Sequence, residues 1–249
     1  MEVIEIGART MPEFMHSAVA GVLLEDPSDY RGESAIAVPL TGRWAHFFEV
    51  PQPVISLTVL SILSPAAVGV LEQQPDLREL QLGGRHLTTL DALSGLSQIQ
   101  SLNVTGAHEL ADVSALASLP NVERLALHGV TGALQYRPLG GATSLRELWL
   151  TAGPRDLSWI DVEDLDWVSP LQALESVLFI GVRVRNKDLS PLAQLPALTR
   201  LHLPQRREYR AQIERLASSS PAFRTEAARF AENVAALRAL KEQQATSPA

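Results

Sequence analysis

The sequence contains no cysteine, which excludes disulfides and thiolate metal sites. Lysine is almost absent as well, with only Lys187 and Lys241 present. The other cations are arginines, and together with the abundant alanine and leucine they resemble the coding bias of a GC-rich bacterium. No apolar run approaches the roughly eighteen residues that a membrane-spanning helix requires. The opening "MEVIEIGARTMPEF" lacks the basic start and unbroken apolar stretch of an export signal, so a cytoplasmic location is expected.

The chain also lacks the motifs through which catalysis is usually legible. There is no GxSxG elbow, no phosphate loop ending in GK[ST], no HExxH and no GxGxxG. The six histidines are scattered, and no pair has metal-ligand spacing on a helix. The reading is therefore of a non-enzyme with no cofactor, no catalytic residue and no metal ligand. An enzyme with its site in the N-terminal 53 residues is the weakest alternative. The net charge of −7 argues against a general nucleic-acid binder, because phosphate recognition favours a basic surface.

What the sequence does have is a repeat. The frame apolar-x-x-apolar-x-apolar starts at Val54, Leu77, Ile99, Val122, Leu145, Val177 and Leu198, giving "VISLTV", "LRELQL", "IQSLNV", "VERLAL", "LRELWL", "VLFIGV" and "LTRLHL". Successive starts are 21 to 23 residues apart, except for one interval of 32. A second segment recurs between the frames, as in "DVSALASLPN" (112–121), "WVSPLQALES" (167–176) and "DLSPLAQLPA" (188–197). Alternation in the first segment predicts a short strand. The capping residue and Pro ahead of leucines at three-residue spacing predict a helical turn on the opposite side. Such a unit cannot bury its apolar face alone, so stacked units must share one core.

With these residues in view, the chain resembles the leucine-rich repeat, in particular the internalin-type repeat of bacteria, over residues 54–203. The resemblance implies an α/β fold: a curved solenoid with a parallel sheet on its concave face. The positions where that family usually carries Asn hold Ile62, Arg85, Ala107, Val130, Gly153, Arg185 and Arg206, so the Asn ladder is absent.

Residues 1–53 are expected to form an N-terminal α/β cap, with "MEVIEI", "AIAV" and "WAHFFEV" as strands and "MPEFMHSAVAGVLLED" as a helix. Residues 204–249 are expected to form a C-terminal helical cap, two helices parted by "SSSP". In the second helix Phe223, Ala227, Phe230, Val234 and Leu237 form one apolar stripe. That stripe either lies on the last repeat or joins two copies through residues 221–243. The long interval holds an insertion, 153–170, with Asp156, Asp161, Glu163, Asp164 and Asp166 beside Trp159 and Trp167. It lacks the Gly of a calcium loop and predicts a solvated acidic loop with aromatic anchors.

If the frame's apolar residues point inward, the residues between them line the concave sheet. On the frames as aligned, this face gathers Trp149, Phe179, Arg124, Glu147, His128, Arg183, Arg200, His202 and Asn103, with Trp159 and Trp167 added from the insertion. Trp and Arg are the residues that most often dominate interface energies. A partner protein with an acidic surface is therefore expected, of the immunity, inhibitor or adaptor kind, with no nucleic acid and no membrane involved. Trp149 is flanked by Ala126 and Gly181 in this alignment. Either it meets the partner or it is covered by this chain's own insertion or tail.

Overall fold

The computed structural model describes residues 21–60, 68–84, 87–130, 136–152 and 159–246. Eleven strands are present among them: β1 (Val22–Leu23), β2 (Ala35–Val38), β3 (Ser56–Val59), β4 (Glu79–Gly83), β5 (Ser101–Thr105), β6 (Arg124–His128), β7 (Glu147–Thr151), β8 (Ile160–Val162), β9 (Ser176–Ile180), β10 (Val182–Val184) and β11 (Arg200–His202). Nine form one sheet in the order β1-β2-β3-β4-β5-β6-β7-β9-β11. Each pairing in it is parallel. Strands β8 and β10 form a separate parallel pair.

The repeat explains this directly. Leu80 and Leu82, Leu102 and Val104, Leu125 and Leu127, and Leu148 and Leu150 point inward and are buried, as period-2 alternation requires. The return segment has period three. Leu90, Leu93 and Leu96, then Val113, Leu116 and Leu119, then Leu165, Val168 and Leu171 are all buried. A 3-10 helix has three residues per turn, so this spacing places all three side chains on one face. The segments are 3-10 turns at Asp91–Leu93, Ser114–Ser118, Arg137–Gly141 and Asp166–Val168. In the last of the units the turn becomes a short α-helix, α2 (Ser190–Ala193), begun by a proline in its first turn.

Backbone and side-chain bonds replace the absent Asn ladder. Ala107 and Val130 are buried apolar residues at two of its positions. Immediately before them the chain leaves the sheet through Gly106 and Gly129, whose positive φ of 65° and 66° suits glycine. Their N–H groups donate to His128 O at 2.8 Å and Thr151 O at 2.7 Å in the next unit. On the lower side, Gln98 Nε2 donates to Gln74 O at 2.9 Å and Asn121 Nδ2 to Ser97 O at 2.8 Å.

At both ends of the described chain the repeat gives way to other elements. At the N-terminal end "AIAV" is β2 as expected, but "WAHFFEV" is not a strand. Trp44 and Phe47 lie in helix α1 (Gly42–Phe47), and Trp44 and Phe48 are fully buried. Their spacing of four fits one helical face, and a strand would have separated Phe47 from Phe48 across the sheet. "MEVIEI" and most of "MPEFMHSAVAGVLLED" lie outside the described residues; Val22 and Leu23 of the latter are β1. At the other end stand α3 (Arg207–Leu216) and α4 (Pro221–Thr246). The stripe residues Phe223 and Phe230 enter this chain's own core, with Ala227 and Val234 packed against it. The Leu237 side chain lies outside the described residues.

One frame differs from the sequence reading. Val177 pairs with Leu148 and Phe179 with Leu150, so the sixth unit starts at Leu174 rather than Val177. "LESVLF" and "VLFIGV" both satisfy the apolar frame, and the hydrogen-bond ladder selects the first. The inserted stretch also has its own place. Residues 160–162 are β8, and Trp167 sits on the unit's 3-10 turn instead of in a solvated loop.

Candidate binding face

The register defines the concave columns. The lower column runs Ser56, Glu79, Ser101, Arg124, Glu147, Ser176 and Arg200, each beside the next. The central column runs Thr58, Gln81, Asn103, Ala126, Trp149, Leu178 and His202. Arg124, Glu147, Arg200, His128, His202 and Asn103 therefore share this face as expected. Phe179 does not: it points inward and is 0% exposed. Arg183 is also elsewhere, on β10 of the small sheet, bound to Asp161.

The lower column sets charged residues among serines, and its ion pairs skip a strand. Arg124 Nη2 donates to Glu79 Oε1 at 3.1 Å across Ser101, and Arg200 Nη2 to Glu147 Oε1 at 2.8 Å across Ser176. The adjacent Arg124–Glu147 pairing that the order of columns suggests is not the one formed. Both spacer serines are buried beneath the bridging chains. Two acids and two arginines thus balance, and the face carries no cationic excess.

The histidines do not supply one. His128 is half-buried, its Nδ1 against Thr151 Oγ1, and burial holds its pKa below the usual histidine value. His202 is pushed down to about 4, first by burial and then by the Arg229 charge. Both are neutral at neutral pH. Asn103 Oδ1 and Arg124 Nε, in neighbouring columns, are buried and have no hydrogen-bond partner among the described residues.

Trp149 lies between Ala126 and Leu178, not Gly181, and is 1% exposed. The chain itself covers the indole. Trp167 is also in the core, stacked on Tyr136 with ring centroids 6.0 Å apart, its Nε1 donating to Asp164 O at 2.9 Å. Trp159, by contrast, is 46% exposed, just ahead of β8 and below the Arg206 guanidinium.

The sequence reading missed the partners of these groups. Asp161 holds both Arg183 and Arg185, a pairing foreshadowed by "VRVRNK" at 182–187, whose alternating valines mark a strand with an outward arginine row. Glu226, fully buried on α4, accepts the Leu203 N–H at 2.9 Å, and Arg229 donates to Leu203 O at 2.7 Å. The two side chains meet the backbone just past β11 as a following strand would. Among the described residues no group of three His, Asp or Glu is placed to hold a metal ion, and no helix is long and apolar enough to cross a membrane.

No protein-family profile matches the sequence, and no curated protein matches it. Solved structures do. Internalin C2 of Listeria monocytogenes is 28% identical over 61% of this chain and 62% of its own, with a TM-score of 0.48. An internalin, inlF, of the same organism is 21% identical over 66% of this chain and 50% of its own, with a TM-score of 0.47. The leucine-rich repeat protein LIC12759 of Leptospira interrogans is 14% identical over 73% and 48%, with a TM-score of 0.45. The chain spans less than two thirds of the length of each. Its own apolar frame, parallel sheet and three-residue turns make it a leucine-rich repeat solenoid.

Proposed function

We propose that the chain is a non-catalytic binding module that holds a partner protein on its concave face, with the 153–170 segment contributing. The observation that carries this reading is the lower column. Glu79, Arg124, Glu147 and Arg200 stand partly exposed on a sheet whose other face is packed core, and a buried serine lies beneath each of their two ion pairs. Exposed ion pairs contribute little to stability, so such a row is not explained by folding. A rigid sheet presenting alternating charge supplies the complementarity through which partners are selected. Because acids and arginines balance here, the surface that fits this face carries both signs. An immunity, inhibitor or adaptor role in the cytoplasm accords with this reading.

The test is recovery of a partner from extract of the source cells by the native protein and by Arg124→Ala/Arg200→Ala. Both substitutions are at partly exposed positions and leave the core intact. A discrete protein captured by the native chain and lost with the double variant supports the proposal. Equal recovery by both would remove the concave row from the binding surface. Homo-oligomerisation through α4 is the weaker reading, because Phe223 and Phe230 are spent on this chain's own core. Light scattering that gives a monomer mass for the full chain would eliminate it.

A further inference from the structure

A second charged surface lies away from the concave sheet, where β8, β10 and the start of α3 meet. Alternation along the small sheet turns Ile160, Val162, Val182 and Val184 inward. It leaves Asp161, Arg183 and Arg185 outside. Arg183 grips Asp161 with both arms, Nε to Oδ1 at 2.5 Å and Nη2 to Oδ2 at 2.7 Å, and Arg185 Nη2 shares Oδ2 at 2.6 Å. Opposite them, Arg206 Nε lies 2.7 Å from Glu208 Oε1, and Lys187 Nζ approaches the same carboxylate at 3.7 Å. The Arg206 guanidinium is 4.8 Å from the centre of the Trp159 ring and 5.9 Å from that of Tyr209. Trp159, Arg183, Arg206, Arg207 and Glu208 line a cleft of about 350 Å³ between the two groups.

Five cations, Arg183, Arg185, Lys187, Arg206 and Arg207, therefore line the cleft or pair with its two carboxylates, Asp161 and Glu208, in a molecule whose net charge is −7. Trp159 is the one exposed tryptophan of the four; Trp44, Trp149 and Trp167 are 0%, 1% and 6% exposed. An exposed tryptophan framed by arginines is the composition of an interface hot spot rather than of ordinary surface.

We propose that this cleft docks an acidic segment of a partner protein. Carboxylates of the segment meet the excess guanidinium charge, and an apolar side chain packs on Trp159. The proposal rests on the reading of the chain as a protein-binding module but uses different residues from the concave row. The arrangement favours a peptide over a single phosphate. Its cations are held in two groups, one organised by Asp161 and one by Glu208, and an extended segment with spaced carboxylates reaches both. Nucleic acid is disfavoured by the acidity of the molecule as a whole.

The experiment uses the full chain and a labelled peptide of six glutamates around a central leucine, with a glutamine peptide as control. Binding is read by anisotropy and by acrylamide quenching, which reaches Trp159 and spares the three buried indoles. The expected result is saturable binding of the acidic peptide, protection of Trp159 from quenching, and loss of both as salt rises. Trp159→Ala and Arg206→Ala/Arg207→Ala each weaken binding about tenfold or more. Arg207→Glu, a change at an exposed side chain, does the same without touching the packing of Trp159 or Tyr209. Arg124→Ala/Arg200→Ala leaves peptide binding unchanged, which separates this proposal from the concave one. No saturable binding, equal binding of the glutamine peptide, native affinity in Arg207→Glu, or equally ready displacement by inorganic phosphate would each overturn it.

Discussion

Arg200 reaches over Ser176 to place Nη2 2.8 Å from Glu147 Oε1, two strands away in the sheet. Arg124 and Glu79 repeat the arrangement over Ser101. Neighbouring strands are about 4.8 Å apart, so each contact spans about twice that distance, and only a small side chain leaves room beneath. Arg200 is 56% exposed and Glu147 19%. A double-mutant cycle on this pair should therefore give a coupling of about 0.5 kcal/mol that falls further in salt. Such a value leaves both charges available to a partner. A coupling above about 2 kcal/mol would instead make the row a structural fastening and undercut its role in recognition.

Two glycines at equivalent strand exits should respond differently to the same substitution. Gly106 and Gly181 have φ values of 65° and 67°. A Cβ on Gly106 would meet nothing within 4 Å, whereas one on Gly181 would fall 2.6 Å from Ala152 Cβ. Gly106→Ala carries only the left-handed backbone cost of about 1 kcal/mol. Gly181→Ala adds a collision with a side chain that has no rotamer to escape into, and should cost about 2–4 kcal/mol. Urea midpoints of the two variants measure the contrast. Equal shifts would show that the close approach to Ala152 is relieved without cost.

These glycines also bear on what could be read without coordinates. The inward leucines were legible because two periods coexist, two along the strand and three along the return, and each has a single physical solution. The sixth unit was not, because Leu174-x-x-Val177-x-Phe179 and Val177-x-x-Ile180-x-Val182 satisfy the same frame. A slip of three residues conserves the pattern while exchanging Phe179 from sheet surface to core. The column Gly106, Gly129 and Gly181 marks where strands end and would have fixed the alignment. The burial of Trp149 had no local signal, since it depends on what folds over the sheet. Arg183 was assigned to the concave sheet because the frame gave no sign that β10 belongs to a second sheet, beside which Trp159 also lies.

The closure of the sheet by Glu226 and Arg229 makes a sharp prediction. Glu226 is fully buried, and its carboxylate serves both the Leu203 N–H and the Arg229 guanidinium. Removing it in Glu226→Ala leaves a buried N–H and a half-buried cation without their acceptor, at about 2–4 kcal/mol. Glu226→Gln keeps an acceptor for Leu203 and should cost about half as much. Thermal unfolding of the two variants gives the order. If the alanine variant matched the native protein, the last strand would be closed by packing of Phe223 and Phe230 alone.

His202 sets the response to acid. Its folded pKa is pushed down to about 4 by burial and then by Arg229, against about 6.5 in the unfolded chain. Between those values the unfolded chain binds a proton that the native state refuses, so stability rises with pH from about 4 to about 6.5 and is flat above. Moving from pH 7 to pH 4.5 should cost about 2 kcal/mol through this residue, less than the limit of about 1.4 kcal/mol per pH unit because the ring is not wholly buried. His128 adds loss of the same sign, its pKa also being held down by burial. The measurement is the difference in urea midpoint between pH 7 and pH 4.5 for the native protein and His202→Gln. The variant should lose less stability, since glutamine fills similar space and takes no proton. An identical loss in both would mean that the imidazole is solvated and titrates as it does in the unfolded chain.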